Sequence, residues 1–151
     1  MYSKQQASQI RQEFWTAFGK YMQPILSSEG EKVNWINYKT GAKNIFFRMQ
    51  AGKGAVIAIE ITHPDPELQQ EYFDRFIQLR SLFRNILEEE WQWQLHVKDG
   101  NGKFISRIYT EVSGVNIFNK NDWPVLISFF KPRIIALDKF WNEVKHGFDV
   151  W

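Results

Sequence analysis

Two charges sit inside stretches that are otherwise apolar and β-forming. Arg48 interrupts Ile45-Phe46-Phe47-Arg48-Met49, and Glu60 interrupts Ala55-Val56-Ile57-Ala58-Ile59-Glu60-Ile61. If the two stretches are neighbouring strands of a hairpin, these side chains can pair across it. Such a pair can do one of two things. It can hold the sheet together as an ion pair, which is the simpler reading. It can also belong to a polar ligand pocket with Gln94, His96 or Arg107. The surface favoured for binding contains Trp35, Tyr38, Arg48 and Glu60.

Other chemical signals are weaker. The three histidines are His63, His96 and His146. His63 lies near Asp65 and Glu67, but Pro64 and Pro66 mark that stretch as a helix entry, so no metal site is expected there. Asp99-Gly100-Asn101-Gly102 starts like a calcium loop. Its fifth position is Lys103 and its twelfth is Thr110, where a bidentate Glu is needed. Gly52-Lys53-Gly54 and Thr40-Gly41-Ala42-Lys43 place glycine beside lysine without the spacing of a phosphate loop, and read as turns. No serine occupies a nucleophile-elbow context. With no cysteine there is no disulfide, thiolate metal site or Cys nucleophile. No catalytic residue, metal or cofactor is expected.

One charge imbalance stands out. Between Lys32 and Ile59 there are basic residues, including Lys39, Lys43, Arg48 and Lys53, and no acidic one. Trp35, Tyr38, Phe46 and Phe47 are interleaved with them. Cations and rings on a sheet can follow a phosphate backbone and stack on bases. The favoured alternative is that these lysines are solvated turn residues guarding sheet edges. Overall the 19 basic and 17 acidic residues nearly balance, so net charge alone names no partner.

These residues must be positioned by a chain of 151 residues, the size of one domain, read here as residues 1–151. Thirteen Phe, seven Trp and five Tyr predict a core packed from rings, with a stacking platform or partner interface as the sharper alternative. Apolar residues at helical spacing predict a first helix over Ser3–Leu26, with Ile10, Phe14, Phe18 and Met22 inward. Strands are predicted at Val33–Lys39, Asn44–Gln50 and Ala55–Thr62, joined as a meander. Asp65 and Pro66 open a second helix, which Glu88-Glu89-Glu90 closes against the helix dipole. Trp91–Val97 alternates as a strand, with Trp91, Trp93, Leu95 and Val97 on one face and Gln92, Gln94 and His96 on the other. A hairpin loop leads into Phe104–Val112, and 114–121 is a loop or short strand. Asp122 caps a last helix that Pro132 is expected to kink near Ser128 and Phe129. A loose tail is expected over His146–Trp151. The order is α-β-β-β-α-β-β-α: an α+β fold with a five-stranded, mainly antiparallel sheet packed by three helices.

The arrangement of Arg11, Phe14, Trp15 and Phe18, then Trp35-x-x-Tyr38-x-Thr40-Gly41, Phe47-Arg48-Met49, Ala58-Ile59-Glu60-Ile61 and Asp122-Trp123-Pro124, resembles a bacterial family of unknown function. Its members occur as stand-alone proteins and as C-terminal parts of restriction-nuclease-like proteins. The resemblance implies a bacterial, intracellular protein in a DNA-defence setting, and transfers no catalytic residues. The element order also resembles the PD-(D/E)XK nuclease core. That resemblance implies an acid on the second strand and an acid-x-Lys on the third. Here the second strand offers Arg48, and the third offers Glu60-Ile61-Thr62. A shared fold would therefore carry a degenerate site.

The expectation is a cytoplasmic, non-membrane binding or accessory module, more readily non-catalytic than enzymatic. The alternative is a nucleic-acid-binding, DNA-defence-associated protein with a degenerate nuclease-like fold. Nucleic acid, a protein partner and a homodimer all stay open as partners.

Overall fold

The computed structural model describes residues 2–148. Helix α1 spans Lys4–Met22. Ser3 caps it: its Oγ accepts from the Gln6 N–H, while the Gln6 side chain accepts from the Ser3 N–H. Phe14, Phe18 and Met22, four residues apart, form its buried stripe. It stops before Pro24, which cannot continue a helix without losing a backbone bond.

Residues 31–44 hold no strand. The strand expected at Val33–Lys39 is instead an irregular segment, because side chains take over its backbone and pin it to neighbours. The Asn34 Oδ1 accepts from the N–H groups of Ile36 and Asn37, closing a local turn. The Trp35 indole donates to the Ile25 carbonyl at 2.9 Å.

The extended run β1 covers Ile45–Ile61. Its two ends meet: the Thr62 N–H donates to the Asn44 carbonyl at 2.8 Å. A straight strand would separate those ends by roughly 55 Å, so the run doubles back at Gly52-Lys53-Gly54 into an outer and an inner arm. Gly54 has φ of 113°, and a Cβ there would sit 3.0 Å from the Val112 carbonyl oxygen, so only glycine fits the bend without strain.

Helix α2, Pro66–Gln78, starts as expected, with the Asp65 Oδ1 accepting from the Glu67 N–H. The single helix expected here is two. The chain leaves helical geometry at Leu79 (φ −97°, ψ 7°), and α3 resumes over Arg80–Leu87. Glu88 ends α3 in the left-handed region with φ of 59°. The acidic run therefore starts at the C-cap of α3, and cations rather than the helix answer two of its carboxylates. The Glu89 carboxylate accepts from Arg133 at 2.8 and 2.9 Å and from the Trp91 indole at 2.8 Å, and Glu90 pairs with Arg84 at 2.9 Å.

Strands β2 (Gln92–Lys98) and β3 (Phe104–Asn116) complete the sheet. The inner arm pairs antiparallel with β3, Glu60 opposite Arg107 and Ala58 opposite Tyr109. β2 pairs with the other edge of β3, Gln94 opposite Arg107. With the outer arm counted, the sheet has, among the described residues, four antiparallel strands rather than five, and four α-helices pack on it rather than three. His96 has φ of 50°, and the register shifts between Gln94 and Val97. That bulge carries Val97 opposite Ile105, so the expected alternation through Val97 fails there.

Helix α4, Trp123–Val144, continues unbroken past Pro132. Asp122 makes no capping bond; its Oδ2 accepts from the Asn116 N–H instead. Within the expected loose tail, Lys145–Phe148 forms a 3₁₀ turn that buries Phe148 against Phe76 and Trp141. The remainder of that tail, 149–151, lies outside the described residues.

One face of the sheet meets the helices. Ile45 and Phe47 from the outer arm, Ala55, Ile57, Ile59 and Ile61 from the inner arm, and Ile108 from β3 join a single apolar cluster with Phe14, Phe76, Phe83, Phe130 and Trp141 from the helices. The alternate residues of each strand point the other way. Up to Glu111 on β3, none of them belongs to that cluster; Val115, past the irregularity in the pairing with β1, does.

Candidate functional site

The alternate residues create a polar face on the uncovered side of the sheet. Strand periodicity puts Phe46 and Arg48 there from the outer arm, Ala58 and Glu60 from the inner arm, Arg107 and Tyr109 from β3, and Gln92 and Gln94 from β2. The expected Arg48–Glu60 pair forms, with Nε 3.3 Å from Oε1. The Arg48 side chain is 48% exposed and that of Glu60 19%. The Arg48 guanidinium lies over the Phe46 ring at 4.4 Å. Directly across from Glu60, Arg107 lies over the Tyr109 ring at 4.0 Å, and its Nε donates to the Gln94 Oε1 at 2.8 Å. The Tyr109 hydroxyl donates to the Gln92 Oε1 at 2.8 Å. Two guanidiniums, each resting on a ring, thus flank one carboxylate.

At one end this face opens into a cleft of about 990 Å³ between the β2–β3 hairpin loop and the entry to α2. Phe46, Arg48, Glu60, His96, Lys103 and Phe104 are among its lining residues. His96 reaches it through the bulge, with Nε2 3.1 Å from the Pro66 carbonyl oxygen and its backbone N–H donating to the Ser106 Oγ. Gln69 from α2 is only 2% exposed and forms the back wall. Its amide donates to the carbonyls of His63 and Phe104, each at 3.0 Å, and its Oε1 accepts from the Ser106 hydroxyl at 2.6 Å. That network ties α2 to the hairpin and sets the shape of the cleft.

Of the residues read from the sequence as a binding surface, Arg48, Glu60, Gln94, His96 and Arg107 come together. Trp35 and Tyr38 do not join them. Trp35 is 3% exposed and packs beside Tyr38, and Tyr38 stacks on Phe47, which faces the helices. The Tyr38 hydroxyl donates to the Asp138 Oδ1 at 2.5 Å. Burial, followed by the Asp138 hydrogen bond and charge, pushes the Tyr38 phenol well above its ordinary range. The lysines scatter as well. Lys39 lies by the Tyr38–Asp138 contact, Lys43 is exposed in the loop before β1, and Lys53 sits at the bend of β1 beside a separate cleft of about 770 Å³ with Arg11 and Trp15.

Sequence reasoning missed Gln69, Gln92, Tyr109 and Asp138. The first three follow from strand parity and from which element packs where. Asp138 is a carboxylate on the buried side of α4, 1% exposed, accepting from the Ser28 N–H, the Tyr38 hydroxyl and the Asn142 amide. A helical wheel of α4 placed it beside Trp141 and Ile134, which was the available signal.

Glu60 has basic rather than acidic neighbours, and among the described residues no group of three or more His, Cys, Asp or Glu gathers in a metal-holding cluster. No described helix is long and apolar enough to cross a membrane. Comparison with the curated proteins and with the solved structures gave no match. A family model does match, over residues 10–145, and so takes in most of α1, every described strand and all of α4. By that match, the chain belongs to the family described as a domain of unknown function, DUF4268.

Proposed function

We propose that this chain is one domain that works as a non-catalytic binding or accessory module, and that its binding surface is the uncovered sheet face with the adjoining cleft. The observation that supports this is the exposure of the Arg48–Glu60–Arg107 row. An ion pair kept for scaffolding gains little when one partner is half in water, yet here it is laid across the sheet face opposite the helices. Gln92, Gln94 and Tyr109 extend the row with groups that can donate and accept. The cytoplasmic and bacterial setting implied by the family resemblance belongs to this proposal.

A second reading is favoured by the two arginines resting on rings: a nucleic-acid-binding, DNA-defence-associated protein with a degenerate nuclease-like fold. Glu60 then stands where a nuclease would hold a metal-binding acid, with cations for company. Both readings expect no Mg²⁺-dependent cleavage of single- or double-stranded DNA by the purified protein. Cleavage that is abolished by Glu60→Ala would make the chain an enzyme and overturn both.

A further inference from the structure

We infer that Arg48 and Arg107 form a pair of oxyanion receptors for the phosphates of single-stranded nucleic acid, with Phe46 and Phe104 offering rings for its bases. This rests on the uncovered sheet face being the binding surface, and names what binds there.

The two arginines are held in the same way. Each is anchored through Nε to a neighbouring side chain, Arg48 to Glu60 and Arg107 to Gln94, and each has its guanidinium carbon over a ring, at 4.4 and 4.0 Å. Among the described residues neither donates a hydrogen bond from its terminal nitrogens. Arg133 shows what a scaffolding arginine does in this fold. It spends Nε and both terminal nitrogens on Glu89 and the Phe129 carbonyl. A guanidinium tied at Nε and resting over a ring has lost part of its side-chain freedom beforehand. Its two terminal N–H groups form a planar fork that matches two oxygens of a phosphate.

The placement suits a strand of phosphates rather than one ion. Arg48 and Arg107 sit on the outer arm and on β3, two strand spacings apart and two residues out of register, roughly 12 Å at the backbone. Glu60 lies between them and removes one of their two charges. Glu111, on the same face further along β3, bounds the patch. The row therefore keeps a net positive charge but a small one, so binding needs more than charge. Phe46 is 38% and Phe104 58% exposed, and both line the cleft at the end of the row. Exposed rings beside phosphate forks can stack on bases only where bases are free of a duplex, which selects a single strand.

The test uses fluorescence anisotropy with a labelled oligothymidine of about fifteen nucleotides, its duplex form, and a polyglutamate peptide of matching length. The wild-type chain is expected to bind the single strand better than the duplex or the peptide. Each phosphate contact adds about 0.7 to the slope of log affinity against log salt, or about eightfold in affinity at about 50 mM salt. Arg48→Ala and Arg107→Ala should each lose about that much, with the slope lowered to match. Arg48→Lys keeps the charge but not the fork and should recover only part of the loss. Thermal melts of each variant confirm that it is folded. Glu60→Gln should bind the strand as well or better, since it removes a negative charge.

Three results overturn the inference. If the strand binds with unchanged affinity and slope in both arginine variants, another surface is used, and the uncovered-face reading falls with it. If polyglutamate binds in an arginine-dependent way and the oligonucleotide does not, the face is a binding surface for acidic protein and only the nucleic-acid assignment falls. If inorganic phosphate at millimolar concentration displaces the strand completely, single-anion binding replaces it.

Discussion

The reading of Arg48 as a ligand group rather than a scaffold group makes a sharp stability prediction, with Arg133 as the internal standard. Arg48→Ala removes one ion-pair contact at 3.3 Å from a side chain that is 48% exposed. Exposed pairs of that kind contribute about 0.2–1 kcal/mol. It also removes the stacking on Phe46, worth about 0.5–1 kcal/mol at an exposed site. The expected loss is thus about 1–2 kcal/mol. At about 2–4 °C per kcal/mol for a chain of this size, the melting temperature should fall by roughly 2–8 °C. Arg133→Ala removes a two-point contact to Glu89 at 2.8 and 2.9 Å, a bond to the Phe129 carbonyl, and a ring contact at 4.5 Å. It leaves a half-buried carboxylate with the Trp91 indole as its remaining donor. Breaking one partner of a buried pair costs about 3–5 kcal/mol, and partial exposure lowers that to about 2–4. Urea unfolding followed by tryptophan fluorescence measures both, with binding to the oligonucleotide read on the same samples. Arg133→Ala should be the more destabilising and should leave binding intact; Arg48→Ala should show the reverse. A loss from Arg48→Ala equal to that from Arg133→Ala, or above about 3 kcal/mol, would refute the reasoning and restore Arg48 to the scaffold.

Two further outcomes concern the side of the molecule away from the proposed surface. Asp138→Ala leaves the Ser28 N–H and the Tyr38 hydroxyl without their acceptor, so about 2–5 kcal/mol should be lost, as urea midpoints will show. The Tyr38 phenol holds its proton more tightly folded than unfolded, so its contribution is fully present below about pH 10 and is lost as pH rises beyond that. Stability should fall above about pH 10 in the wild type and fall less in Tyr38→Phe, whereas parallel pH profiles for the two would remove Tyr38 as the cause.

Much of this protein was legible in its residues. The inward stripe of α1, the entry to α2 at Asp65-Pro66, the bend at Gly52-Lys53-Gly54, and the Arg48–Glu60 pair all follow from local rules: helical or strand period, capping chemistry, and the freedom of glycine. Each of these is settled by neighbours within a few residues or across one hairpin. Val33–Lys39 shows where such rules stop. Its composition favours a strand, but its fate was decided by Asp138, about a hundred residues away, and by a tryptophan that found the Ile25 carbonyl.

The sequence by itself determined which residues alternate and therefore which could share a face. Tertiary structure alone decided which face the helices covered. That choice buried Trp35 and half-buried Tyr38, left Arg48 half exposed with Glu60 and Arg107 partly so, and brought Gln92, Gln94 and Tyr109 in beside them. The reason is that burial is a property of the assembled layers. A strand can state its period, but apolar area leaves water only when α1 to α4 close over one side of the sheet, and no residue in the strand encodes the other layer.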